Sequence, residues 1–133
     1  MYRVGAALAA LAVALVACSS KQVDTRFQPV AVAVAELGAI QQGRCAEVAA
    51  HFDAAVKGGL DAPGLCRAWR DYERVFGNYL AHGAPVSLRR GSVTVVRVPL
   101  TMAAAAGEFR VSYDPQGTIA GIFFLRSGVP VPG

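Results

Sequence analysis

Residues 108–125 read EFRVSYDPQGTIAGIFFL, and the reading of this stretch decides the fold. Glu108 to Tyr113 alternates cleanly, placing Phe109, Val111 and Tyr113 on one side, as the two-residue period of a strand requires. Asp114-Pro115-Gln116-Gly117 has proline and glycine where a type I turn closed by a glycine bulge needs them. Thr118 to Leu125 then returns as the second strand of a hairpin. A turn of this kind pairs Tyr113 with Ile119, Val111 with Gly121 and Phe109 with Phe123. In that register Ile122 and Phe124 point to the opposite face, beside Arg110 and Glu108, and form a candidate interface. Two large apolar groups on an outer face call for a cover. The candidates are a second copy in a homodimer, another partner, or the tail Ser127 to Gly133 folded back.

Upstream, Val93 to Leu100 is rich in β-branched residues and follows an Arg89-Arg90-Gly91-Ser92 turn. Asn78 to Leu88 forms the first strand, interrupted near Gly83 and Pro85 and therefore bent or at an edge. Before Gly77 the period becomes helical. Pro29 opens a helix carrying Phe27, Val30, Val34 and Leu37, which ends at Gly43. Cys45, Val48, Phe52 and Val56 lie on one side of a second helix, stopped by Gly58-Gly59. Asp61 caps a third, with Pro63 in its first turn and Leu65, Trp69, Tyr72 and Phe76 on its apolar face. The polar side of that helix holds an Arg67–Asp71 pair one turn apart. The expected fold is α+β, with three helices on one face of a curved, cone-like, four-stranded antiparallel sheet.

The N-terminus has a different character. Arg3 precedes an uncharged apolar run, Val4 to Ala17, too short for a permanent membrane span and laid out as an export signal. Leu15-Val16-Ala17-Cys18 resembles the lipobox of bacterial lipoproteins. The resemblance implies that residues 1–17 are a signal peptide and that Cys18 starts the mature chain, bearing a diacylglyceryl thioether and acyl chains of the palmitate type. Residues 18–26 then form a lipidated tether, 27–126 the domain and 127–133 the tail. The expected location is the cell membrane or envelope, reached by export, with the membrane itself as a partner through the anchor.

About 115 residues remain after the signal, enough for one core. The formal net charge of +4 is small and scattered, which argues against nucleic acid as a partner. With Cys18 lipidated, Cys45 and Cys66 are left as an even pair in an oxidising compartment and read as a disulfide closing about twenty residues, worth about 3 kcal/mol. Two buried free thiols are the alternative. His51 and His82 fall at no zinc-ligand spacing from the cysteines, so no metal site is expected.

Three segments carry a wider resemblance: Ala50-His51-Phe52-Asp53, Val93 to Leu100, and Asp114 to Phe124. They look like a bacterial domain family of unknown function found in secreted proteins, often placed before an α/β-hydrolase domain. The resemblance covers about Val30 to Leu125 and implies a cone-shaped fold like that of nuclear transport factor two and the ketosteroid isomerases. It brings no catalytic residue with it, and there is no Gly-x-Ser-x-Gly elbow in the chain.

Enzymes of the cone fold use an inward carboxylate with a tyrosine or second acid. Here Asp53, Asp61, Asp71, Glu73, Glu108 and Asp114 are accounted for by caps, turns or polar faces, so no catalytic residue and no cofactor is expected. His51 and His82 remain as bases, more commonly structural than catalytic. Trp69, Tyr72, Phe76, Tyr113 and Phe123 are candidate pocket-lining residues, with ordinary core as the competing reading. The leading expectation is a non-enzymatic, lipid-anchored module that binds a partner protein or an apolar small molecule. A small cofactor-free enzyme of the isomerase or hydratase type, or an accessory module for a separate hydrolase, are the alternatives.

Overall fold

The computed structural model describes residues 27–132. The signal segment 1–17, Cys18, the tether 18–26 and Gly133 lie outside the described residues. Within them the chain is α+β, built as α1 (Pro29–Gln41), α2 (Cys45–Ala49), α3 (Ala54–Lys57), α4 (Ala62–Phe76), β1 (Tyr79–His82), β2 (Val86–Arg90), β3 (Val93–Met102), β4 (Ala106–Tyr113) and β5 (Ile119–Arg126). The sheet is antiparallel and open, in the order β1-β3-β4-β5, with β2 also on β3.

The expected three helices become four because the second one breaks. Phe52 forms a parallel bridge with Ile119, where Ile119 donates to the His51 carbonyl at 2.7 Å and Asp53 donates to the Ile119 carbonyl at 2.9 Å. Asp53 then caps a new helix, its Oδ1 accepting from the Val56 amide at 2.8 Å. Backbone groups committed to the β5 edge cannot also serve a continuous helix. The expected four strands become five for a similar reason. β1 pairs with Leu100–Met102 and β2 with Val93–Arg97, both on the same edge of β3. Between them Pro85 lacks an amide, and Gly83 alone donates across, to Pro99 at 2.9 Å.

α4 follows its sequence pattern closely. Asp61 Oδ1 accepts from the Gly64 amide at 2.7 Å, Leu65, Trp69 and Tyr72 are buried, and Gly77 ends the helix at φ 84°. Asp71, however, pairs with Arg74 at 2.7 Å rather than with Arg67. The Cys45–Cys66 disulfide, Cα atoms 5.9 Å apart, ties the start of α2 to α4. The Asp114 turn also forms as read. Gly117 sits at φ 81° and donates to the Asp114 carbonyl at 3.0 Å. Asp114 Oδ1 accepts from the amides of Gln116 at 2.9 Å and Thr118 at 3.0 Å, and its Oδ2 takes the Thr118 hydroxyl. The Thr118 hydrogen bond, foremost, holds this carboxyl below its ordinary range.

The hairpin register corrects the sequence expectation. Tyr113 pairs with Ile119, but Ser112 then pairs with Gly121, leaving Ala120 as an extra residue in β5. That bulge slips the ladder by one, so Val111 meets Ile122 and Phe109 meets Phe124. A one-residue slip turns every following side chain to the other face. Ile122 and Phe124 therefore pack inward against the core, and Phe123 faces out, 51 % exposed. The homodimer expectation loses the surface it was built on.

Candidate functional site

Of the five residues expected to line a pocket, Tyr72, Phe76 and Phe123 border a common depression, and Trp69 and Tyr113 are buried in the core. Trp69, Tyr72 and Phe76 join Phe109 and Phe124 in a packed aromatic cluster. Tyr72 and Phe76 stack at 4.4 Å between centroids, and Trp69 meets Phe124 edge-on at 5.2 Å. The Tyr72 hydroxyl crosses the sheet edge to donate to the Leu125 carbonyl at 2.7 Å, passing over Gly107, where a Cβ would collide with it. Trp69 and Tyr72 are core, as the competing reading had it, while Tyr72 and Phe76, with Phe123 and Phe124, also border an open depression of about 480 Å³ beside Leu60 and Val75. Tyr113 lies elsewhere in the core, and Phe123, on the edge strand β5, points to the other side of the sheet.

Tyr113 is fully buried and donates its hydroxyl to Glu36 Oε2 at 2.7 Å. Phe27 closes over the tyrosine ring edge-on at 4.8 Å. Burial pushes the Glu36 carboxyl from an ordinary 4.5 up to about 7, partly offset by the Tyr113 hydrogen bond. Burial, and then the facing Glu36, raise the Tyr113 hydroxyl above its usual range, so it stays the donor. Glu36 was absent from the sequence inventory of acids. Its helix, PVAVAVAELGAIQ, is apolar on every side, and a lone acid in such a helix marks a buried position. That was the signal available.

The outer face of the sheet carries the second polar group. The register sets Val86, Arg97, Arg110 and Phe123 in one cross-strand row. Two arginines directly opposite each other repel, and Glu108, next along β4, lies between them. Arg97 Nε donates to Glu108 Oε1 at 3.0 Å and Arg110 Nε to Oε2 at 2.6 Å. The Arg110 and Glu108 side chains are only 6 % and 8 % exposed, although they lie on the helix-free face. The tail covers Arg110. Arg110 Nη1 donates to the Pro130 carbonyl at 3.1 Å and Nη2 to the Val129 carbonyl. The tail thus folds back, as one sequence expectation had it, but over Arg110 and Phe123 rather than over Ile122 and Phe124.

Between tail and sheet lies a cleft of about 380 Å³, walled by Val95, Phe123, Leu125, Val129 and Val131, with Arg110 between Val95 and Leu125 along the strands and Arg90 two rows away on β2. Gly121 leaves room for the Phe123 ring, which would stand 3.1 Å from a Cβ there. The volume is within the range of small-molecule sites, about 300–1,000 Å³. The remaining candidates are spread apart. His51 and His82 are both exposed, so neither shares an enclosed site with an acid. Asp53 and Asp61 are caps, Asp71 is paired, and Glu73 Oε2 accepts from the Tyr79 amide at 3.0 Å. Among the described residues no group of three or more His, Cys, Asp and Glu comes together to hold a metal. No helix among them is long and apolar enough to cross a membrane.

Comparisons with protein families, with curated proteins and with solved structures found no match.

Proposed function

We propose that the chain is an exported, lipid-anchored binding module of the cell envelope that holds an apolar small molecule in the outer-face cleft. The anchor reading is supported by Leu15-Val16-Ala17-Cys18 behind an uninterrupted apolar run. The observation that carries the binding reading is the cleft itself: concave, apolar along its walls, and lined also by Arg90 and Arg110. A small molecule fits this shape better than a protein surface does, because the tail already covers the flat part of the face. Two measurements test the two halves. In a bacterial host with lipoprotein processing, the wild-type protein should partition into the detergent phase and Cys18→Ala should not; wild type in the aqueous phase rejects the anchor. An environment-sensitive apolar dye should brighten with the protein and lose that response in Phe123→Asp; an unchanged response rejects the cleft.

A second reading, the cofactor-free enzyme, is favoured by one observation. The inward acid that such chemistry requires is present as Glu36, hydrogen-bonded to Tyr113. Neither residue borders the cleft described above. The enzyme reading requires a substrate to displace Phe27 from Tyr113, so Phe27→Ala should then admit a phenolate-type ligand that quenches Tyr113 fluorescence. No binding to that variant removes this reading.

A further inference from the structure

We infer that the ligand of the outer-face cleft is a single-chain carboxylate amphiphile, its carboxylate seated on the Nη edge of Arg110 where the tail carbonyls of Val129 and Pro130 now sit. This rests on the binding reading above and adds the head group, its anchor and the chain's own competitor.

Charge on the outer face is unbalanced. Arg97 and Arg110 share the single carboxylate of Glu108, and Arg90 borders the same cleft. Glu108 holds only the Nε edge of Arg110. The Nη edge is met by two neutral backbone oxygens, from Val129 and Pro130. A buried guanidinium offering two parallel donors is matched best by the two oxygens of a carboxylate, and charged acceptors bind about twice as strongly as neutral ones. The tail carbonyls therefore occupy a carboxylate position with a weaker acceptor pair. Around that position the walls are Phe123 beside Arg110, with Leu125 and Val95 to either side along the strands, hydrocarbon that gains from cover by an alkyl chain, the more so as Phe123 is 51 % exposed. A charged seat flanked by hydrocarbon fits the carboxylate of an amphiphile whose chain lies along those walls.

The tail is held here by little else. Ser127 donates to Ala106 at 3.3 Å, and from Val129 on the hydrogen bonds among the described residues are the two from Arg110. Ligand entry exchanges those two bonds for a charged pair on the same two Nη donors.

The test uses the whole chain in zwitterionic nanodiscs with two photoreactive probes, a dodecanoate carrying a terminal diazirine and the matching primary alcohol, mapped by mass spectrometry. The carboxylate should label the peptides holding Phe123–Leu125 and Val129–Pro132 about tenfold more than the alcohol at equal concentration. Arg110→Lys, which keeps a charge for Glu108 but loses the fork, should abolish that preference. Truncation after Gly128 should raise carboxylate labelling severalfold by removing the competitor, and it decides the matter if the lysine variant fails to fold. Equal labelling by both probes overturns the carboxylate assignment and leaves apolar binding standing. Labelling of the cleft by neither probe overturns the binding reading itself. A preference that persists in Arg110→Lys, or labelling unchanged by truncation, overturns Arg110 as the head anchor.

Discussion

On the helix side of the sheet one buried carboxyl, Glu36, meets one hydroxyl inside a continuous apolar core. On the outer side one carboxylate, Glu108, is shared by two guanidiniums, one of which is covered by Val129 and Pro130 of the tail. The first pair can satisfy itself by protonation, since a neutral acid and a phenol need no counter-charge. The second cannot, because arginine never gives up its proton. The two faces thus handle buried polarity by different means, and only the outer one keeps a net charge that another molecule could complement.

The largest effect expected separates the faces by adjacent residues. Phe124→Ala removes a ring from the Trp69–Tyr72–Phe109 cluster and should cost about 3 kcal/mol by denaturant unfolding, whereas Phe123→Ala on the outer face should cost under about 1 kcal/mol. Equal costs would show that the bulge at Ala120 does not set the register described. Phe124→Lys, a natural probe of self-association had the residue faced outward, should simply unfold the domain.

Next comes pH. The folded Glu36 carboxyl lies near 7 against 4.5 when unfolded, so the native state binds the proton more tightly. Its contribution to stability is complete below about pH 4.5, declines as pH rises through the folded value, and is gone above it, a change of about 3 kcal/mol. Glu36→Gln keeps an acceptor for Tyr113 and carries no charge, so it should flatten that segment of the stability–pH curve and be the more stable protein at pH 8. If the wild-type curve is already flat between pH 5 and 8, the carboxyl is hydrated and the contrast between faces fails.

How much of this was legible in the sequence varies by element. α4 could be read to the residue, because Asp61, Pro63 and Gly77 punctuate a strong apolar stripe. The Asp114 turn was equally plain, since its side chain and Gly117 have no other conformational use there. The break at Asp53 was not, because an aspartate on a helix face and one at a cap look alike until Ile119 arrives from 66 residues away to claim the neighbouring backbone. The bulge at Ala120 has no residue signature at all, and it alone reversed the assignment of Ile122, Phe123 and Phe124. Glu36 is legible only from its own helix, where it is the lone acid in an apolar run. The outer-face cleft depends on that reversed register and on an aperiodic tail, so neither its residues nor its depth could be read in advance.

A smaller effect tests the close approach of α4 to the sheet at Gly107. Gly107 is the gap through which the Tyr72 hydroxyl reaches Leu125, and any Cβ must push that ring aside. Gly107→Ala should cost about 2 kcal/mol and strand the buried hydroxyl. Combined with Tyr72→Phe, which removes the clashing oxygen, the cost should fall by at least half in a double-mutant cycle; strict additivity would place the strain elsewhere.

The smallest effect is expected from the part of the molecule that looks most like a lid. Truncation after Gly128 removes the two carbonyls on Arg110 and uncovers Phe123 and Leu125. Were the outer face a second core, this would cost several kcal/mol, as stripping a guanidinium of its partners in a dry interior does. But the bonds lost are to neutral oxygens, water replaces them once the tail has gone, and Glu108 keeps the Nε edge paired. The ordering of the tail segment is also no longer required. These contributions nearly cancel, so the truncated chain should unfold within about 1 kcal/mol of the full one in urea, with an unchanged far-ultraviolet spectrum. A loss above about 3 kcal/mol would make the tail a structural strand of the fold and the cleft beneath it an ordinary packing gap. A near-zero loss would mark a cover that the domain folds without, which is the property a replaceable occupant of a binding site must have.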